Sequence, residues 1–220
     1  MPFWSYILTA LAAYLLGSIP TGFLAAKAKG VDIRAVGSGN IGATNAMRAL
    51  GKPMGIFVLL MDCAKGFLAC FLGTFICIAI SNKDFFDEPP MPMERFAIVA
   101  GIFAVLGHNY TCWLKFKGGK GIATTAGVYL ALAPWAVLVA LIVFILAVLL
   151  TRYVSVGSIS AAAALPVTVW VMSPDNLPLG IVTTALGALA IYKHKSNIQR
   201  LMDGTENRLG KKHQPTEETK

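Results

Sequence analysis

Charge is scarce in this chain. Asp, Glu, Lys and Arg make up 14% of its 220 residues, while 56% are hydrophobic. A soluble domain of this length has no use for so much apolar surface, so a molecule wetted on all sides is excluded. Cysteine is sparse as well. Cys63, Cys70, Cys77 and Cys112 lack ligand-like spacing, and the first three recur every seventh residue on one helix face. They read as small apolar packing residues.

Other absences narrow the chemistry. No Cys/His cluster points to a metal, and no acid lies in the glycine loops to hold magnesium. No carboxylate pair or Ser-His-Asp signature is visible. An H-x-x-x-x-D pattern is missing too: Trp113 and Gln199 stand fifth after His108 and His194. Neither metal nor cofactor is expected. The N-terminal apolar run has no basic n-region, so it is expected as a retained first helix and not a signal peptide. The net charge of +8 comes without any nucleic-acid motif, so it is assigned to topology and to anionic ligands.

What is abundant is long apolar sequence. The runs cover roughly 3–25, 54–80, 94–113, 121–150, 156–172 and 177–192. About 20 apolar residues suffice to span a bilayer. Segment 26–52 carries Lys27, Lys29, Arg34, Arg48 and Lys52 against Asp32. Segment 81–95 is acidic, and the turn near Lys115, Lys117 and Lys120 has no acid. The positive-inside rule makes the first and third cytoplasmic and the second external. A single helix over 121–150 gives six spans and an external basic tail. Two short helices turning near Pro134 give seven, and charge parity favours these. The expectation is an all-α polytopic membrane protein of seven transmembrane helices, N-terminus outside and C-terminus cytoplasmic. Residues 1–205 form a single transmembrane catalytic domain, and 206–220 form a polar, disordered tail.

Polar punctuation between these runs carries the chemistry. In "VGSGNIGATN", Gly37, Gly39 and Gly42 free the backbone. Successive N–H groups can then face one concavity and bind phosphate. Ser38, Asn40, Thr44 and Asn45 add side-chain hydrogen-bonding groups, and Arg48 adds permanent charge. "KFKGGKGIAT" fails as a Walker loop: Leu114 stands where its first glycine belongs, and Gly121 replaces the Ser/Thr. It remains a lysine, Lys120, between Gly118, Gly119 and Gly121 at a helix start, which suits an anion. His194 and Asn197 share a face if the last helix continues. Ser155 and Ser158 flank Gly157 at a helix start, where capping is their simplest role. Asp62 and Lys65, one turn apart within an apolar run, read as a mutually neutralised packing pair. His108 borders the lysine turn as either a functional group or a polar helix end. With seven spans, all these loops converge on the cytoplasmic face.

At these residues the chain resembles one family. "GSIPTG", "GSGNIGATNAMR", "GHNYTCWLKFKGGKGIAT", "TRYVSVGSIS" and "KHKSNIQRLMDGTE" resemble the bacterial acyl-phosphate:glycerol-3-phosphate acyltransferases, in order, from Gly17 to Glu206. The resemblance implies a seven-helix enzyme of the bacterial cytoplasmic (inner) membrane with its active site facing the cytoplasm. It implies acyl phosphate as donor, the sn-1 hydroxyl of glycerol 3-phosphate as acceptor and lysophosphatidic acid as product. By motif, Ser38, Asn40, Thr44 and Asn45 would line a phosphate pocket with the loop glycines. Arg48 and Lys120 would neutralise the two phosphates, and Ser155, His194 and Asn197 would complete the glycerol 3-phosphate site. Glu206 would order the C-terminal segment. A self-contained chain of this kind is expected as a monomer in membrane lipid. The alternative, a transporter or channel for organic phosphates, also suits glycine loops near a bilayer.

Overall fold

The computed structural model describes residues 2–81 and 92–210. The acidic stretch that marks the expected external loop lies mostly outside these residues, as does 211–220 of the expected tail. The fold is all helical. Its helices are α1 (Phe3–Ser18), α2 (Thr21–Lys27), α3 (Ala43–Leu50), α4 (Lys52–Ser81), α5 (Pro92–Asn109), α6 (Ile122–Leu132), α7 (Pro134–Thr151), α8 (Val154–Met172), α9 (Leu177–Lys193) and α10 (Lys195–Met202).

Among the described residues, five segments are long and apolar enough to cross a membrane: Phe3–Lys27, Lys52–Ser81, Met93–Leu114, Pro134–Thr151 and Val154–Met172. A sixth exists if α9 and α10, bent by 51°, count as one. The break expected near Pro134 falls at Ala133, where proline cannot donate to the preceding turn and opens α7 instead. Only one of the two helices there is short. α6 has 11 residues, or roughly 16 Å of rise, against about 30 Å of hydrocarbon. α7 has 18.

Burial is inverted relative to a water-soluble bundle. On α1 the buried residues are Ser5, Thr9, Ala13, Gly17 and Ser18. Leu11 and Leu15 face outward, as do Leu149 and Leu150 on α7. Large apolar side chains gain nothing from one another when lipid surrounds them, so small residues take the helix contacts and let backbones approach. Gly17 shows the consequence: a Cβ there would lie 2.1 Å from the Ala104 carbonyl oxygen on α5. Some hydroxyls in the seams bond along their own helix, as Thr9 does to the Ser5 carbonyl at 2.9 Å, and others reach across, as Thr111 does to the Ser18 carbonyl at 2.6 Å.

A small apolar cluster positions the chemistry. Ala26, Ile33, Ile41, Ala46 and Val58 are buried together and pin both ends of the glycine loop against α2 and α4. The site forms where this anchored loop, the lysine turn before α6, the start of α8 and the α9–α10 bend meet.

Candidate active site

The glycine loop organises itself around Asn45. Its Nδ2 donates to the carbonyls of Ile33, Val36 and Asn40 at 3.0, 2.9 and 2.8 Å. Its Oδ1 accepts from the Ser38 N–H at 2.9 Å. Asn40 Oδ1 in turn accepts from the Gly42 N–H at 2.9 Å, just before α3 begins. Gly37 is forced by this packing, since φ is +62° and a Cβ would sit 2.4 Å from Asn45 Oδ1. Asn45 therefore borders the cavity with both Nδ2 hydrogens already committed to loop carbonyls, so it holds the loop's shape and has no side-chain N–H left to donate to a phosphate. Arg48, one turn further along α3, lines the cavity and makes no side-chain hydrogen bond among the described residues.

The lysine turn is a second built unit. The Gly118 N–H donates to the Asn109 carbonyl at 3.2 Å and the Gly119 N–H to the His108 carbonyl at 3.0 Å. Lys115 and Phe116 take left-handed backbone, which reverses the chain. Lys120 then projects inward and donates to Asn197 Oδ1. Asn197 Nδ2 donates to Glu206 Oε1 at 2.8 Å, and Arg200 Nε donates to Glu206 Oε2 at 2.7 Å. The Leu209 N–H donates to the Arg152 carbonyl at 2.8 Å, so the first residues after 205 are folded onto the bundle.

These units enclose one cavity of about 150 Å³. Of the residues singled out from sequence, Ser38, Asn40, Gly42, Thr44, Asn45, Arg48, Lys120, Gly121, Ser155, His194 and Asn197 line it. Gly39, Gly118 and Gly119 do not. Gly39 serves the loop's left-handed turn at φ +69°, and Gly118 and Gly119 are pressed against His108 and Asn109. Sequence reasoning underrated three other lining residues: Asp62, His108 and Glu206. The signal for the first was present, because an acid inside an apolar helix needs a reason. Asp62 Oδ1 lies 2.8 Å from Lys65 Nζ and 3.6 Å from His108 Nδ1. Leu59, Phe144 and Val154 add apolar side chains to its lining.

Its electrostatics follow from burial with several cations. Burial pushes the Lys120 ammonium down to about 8, helped by Arg200, Arg48 and Lys193 and opposed by Glu206. Burial pushes His194 down to about 4. Its Nδ1 must carry the hydrogen, because the partner 2.7 Å away is the Ala190 carbonyl, which only accepts. Neutral His194 thus keeps a free Nε2 lone pair. Burial raises the Glu206 carboxyl, but hydrogen bonds from Asn197 and Arg200 outweigh it and hold the group ionised. Ser155 Oγ is buried beside the Glu206 carboxylate, whose charge it helps to hold, but makes no hydrogen bond of good geometry among the described residues. The cavity thus combines cations, a neutral acceptor and a weakly held hydroxyl, which suits a phosphorylated alcohol.

Known proteins resemble this chain over nearly its whole length. A family profile described as glycerol-3-phosphate acyltransferase matches residues 7–204. The glycerol-3-phosphate acyltransferase of Geobacter sulfurreducens is 49% identical over 203 residues, covering 92% of this chain and 96% of that protein. Its counterpart from Geobacter metallireducens is 50% identical over 203 residues, covering 92% and 97%. Among solved structures, the glycerol 3-phosphate form of PlsY (YgiH), an integral membrane glycerol 3-phosphate acyltransferase, superposes with a TM-score of 0.80 at 40% identity. It covers 94% of this chain and 96% of that one. The lysophosphatidic acid form gives 0.78 at 39% identity, with the same coverage. This multi-pass membrane protein belongs to the glycerol-3-phosphate acyltransferase family.

Proposed function

We propose that this protein transfers the acyl group of acyl phosphate to the sn-1 hydroxyl of glycerol 3-phosphate, giving lysophosphatidic acid and phosphate. The observation that carries the reading is the convergence of Arg48, Lys120, Ser155, His194 and Asn197, from four separate segments, on one cavity. An acyl phosphate is a mixed anhydride and already activated, so the protein needs no covalent intermediate. It must bring two anions together, aim a hydroxyl at the carbonyl and stabilise the departing phosphate. Lys120 and Arg48 offset the repulsion between the phosphates. Ser155 Oγ and Asn197 hold the glycerol phosphate, and the glycine loop offers backbone N–H groups to the second phosphate. The apolar lining at Leu59, Phe144 and Val154 opens a lateral route for the acyl chain.

His194 accepts the attacking hydroxyl's hydrogen bond through Nε2. A group held near 4 is a weak base, so the hydroxyl proton passes to a phosphate oxygen of the acyl phosphate as the C–O bond forms. The acyl–phosphate bond then breaks and hydrogen phosphate leaves. The charge pattern supports seven spans, with α6 and α9 as the short ones. It also supports an external N-terminus, a cytoplasmic C-terminus and a site on the cytoplasmic face of the bacterial inner membrane. One chain supplies every cavity group named here, which favours a monomer.

The test is phosphate release by purified protein. Release from acyl phosphate that requires glycerol 3-phosphate, and does not occur from acyl-CoA, is expected; glycerol-3-phosphate-independent release refutes the reading. In His194→Gln, residual turnover with an unchanged pH–rate profile is expected. Complete loss of turnover with substrate binding intact would make His194 the base.

A further inference from the structure

The floor of the cavity holds two groups that the chemistry above leaves unused. Asp62 on α4 and His108 in the last turn of α5 both line it. Asp62, Lys65 and His108 are 2%, 5% and 5% exposed. Lys65 Nζ contacts Asp62 and also donates to the Ile19 carbonyl at 2.9 Å, at the break between α1 and α2. Charges placed inside membrane helices are costly to keep. Well-packed apolar side chains of similar volume would serve folding as well or better. The polar choice therefore calls for a role beyond packing.

His108 connects this pair to the lysine turn. Its carbonyl accepts the Gly119 N–H at 3.0 Å. Its imidazole occupies the space beside Gly119 so fully that a Cβ there would lie 2.0 Å from Nε2. Gly119 immediately precedes Lys120. Consecutive glycines at 118 and 119 make a flexible backbone, and a flexible backbone cannot by itself aim a long lysine side chain. The stiffness must come from what the turn rests on. That support runs from Ile19 through Lys65 and Asp62 to His108. At 3.6 Å the Asp62 carboxylate lies against the imidazole in a close polar contact, too long for a direct hydrogen bond.

We propose that Asp62 and His108 are a positioning pair for Lys120. Asp62 fixes the imidazole, and the imidazole seats the glycine turn that aims the ammonium at a substrate phosphate. Neither group touches the reacting atoms. The assignment rests on the proposed function only in taking that phosphate to be glycerol 3-phosphate.

Steady-state kinetics on purified full-length protein test it. Asp62→Asn and His108→Ala should each raise KM for glycerol 3-phosphate between about 10- and 100-fold, the scale of a misplaced binding group. KM for acyl phosphate and the thermal midpoint should stay near wild type. The double variant should be no worse than the poorer single one, because both act through one chain. His108→Asn can place an amide nitrogen where Nδ1 stood, so its KM should fall between those of wild type and His108→Ala. An unchanged glycerol 3-phosphate KM in active Asp62→Asn and His108→Ala overturns the proposal and leaves the functional reading intact. Loss of folded protein in all three single variants, or equal damage to both KM values, makes the pair structural and also overturns it. A wild-type protein that releases no phosphate from acyl phosphate in the presence of glycerol 3-phosphate overturns the functional reading and this proposal together.

Discussion

The two walls of the cavity are built on opposite principles. The glycine loop spends its side-chain polarity on itself. Asn45 alone ties down three carbonyls and one N–H, and Asn40 caps its own loop. What this wall presents is backbone, hydroxyls and one cation, Arg48. The other wall runs Lys120–Asn197–Glu206, a chain of charged and amide side chains that line the cavity and are bonded to one another, with Arg200 bonded to Glu206 behind them. The first wall is a mould whose shape matters. The second is an electrostatic surface whose charges matter. A mould fails by losing stability, and a charged surface fails by losing rate or affinity.

That contrast sets the expected effects. The largest falls on the charges: Lys120→Ala and Arg48→Ala should each lower turnover by about 10²- to 10³-fold, the usual scale for a lost transition-state donor. Their thermal midpoints should barely move. Near-normal turnover in both would erase the distinction between the walls. The next falls on the mould. Asn45→Ala leaves three carbonyls and one N–H without their partner, at a cost of about 2–4 kcal/mol of stability. The measured sign is a lower thermal midpoint, with turnover lost in proportion to unfolded protein. An Asn45→Ala protein of wild-type stability that is nevertheless inactive would make Asn45 a ligand contact.

The smallest effect concerns pH. Lys120 is held near 8, below an ordinary lysine, so it loses its proton earlier as pH rises. kcat/KM for glycerol 3-phosphate, which reports the free enzyme, should therefore decline above about pH 8. Lys120→Arg keeps its charge throughout and should flatten that decline, whatever its absolute rate. An identical alkaline limb in both proteins would assign the titration to another group.

Much of the site was legible because its residue types are expensive where they stand. Glycines, amides and lone cations between apolar runs announce themselves, and Arg48, Lys120, Ser155, His194 and Asn197 do line one cavity. Asp62 was visible as an anomaly, but its contact with His108 was not, since the two residues sit on different helices. Glu206 stood at the first position of the expected polar tail, and only the resemblance gave it an ordering role; it is buried as the carboxylate that holds both Asn197 and Arg200. Gly118 and Gly119 were read as ligand contacts because glycine-rich turns often are; here the space they vacate is filled by His108.

Hydropathy and charge, which act through composition over short windows, set the solvent of the fold and the rough placing of the spans. Only the tertiary structure decided which polar groups are spent on the protein and which are left for a substrate. That choice depends on partners far away in the chain, as when Lys120 meets Asn197 77 residues on. A side chain's free valence is a property of its three-dimensional neighbours, and no local pattern encodes it.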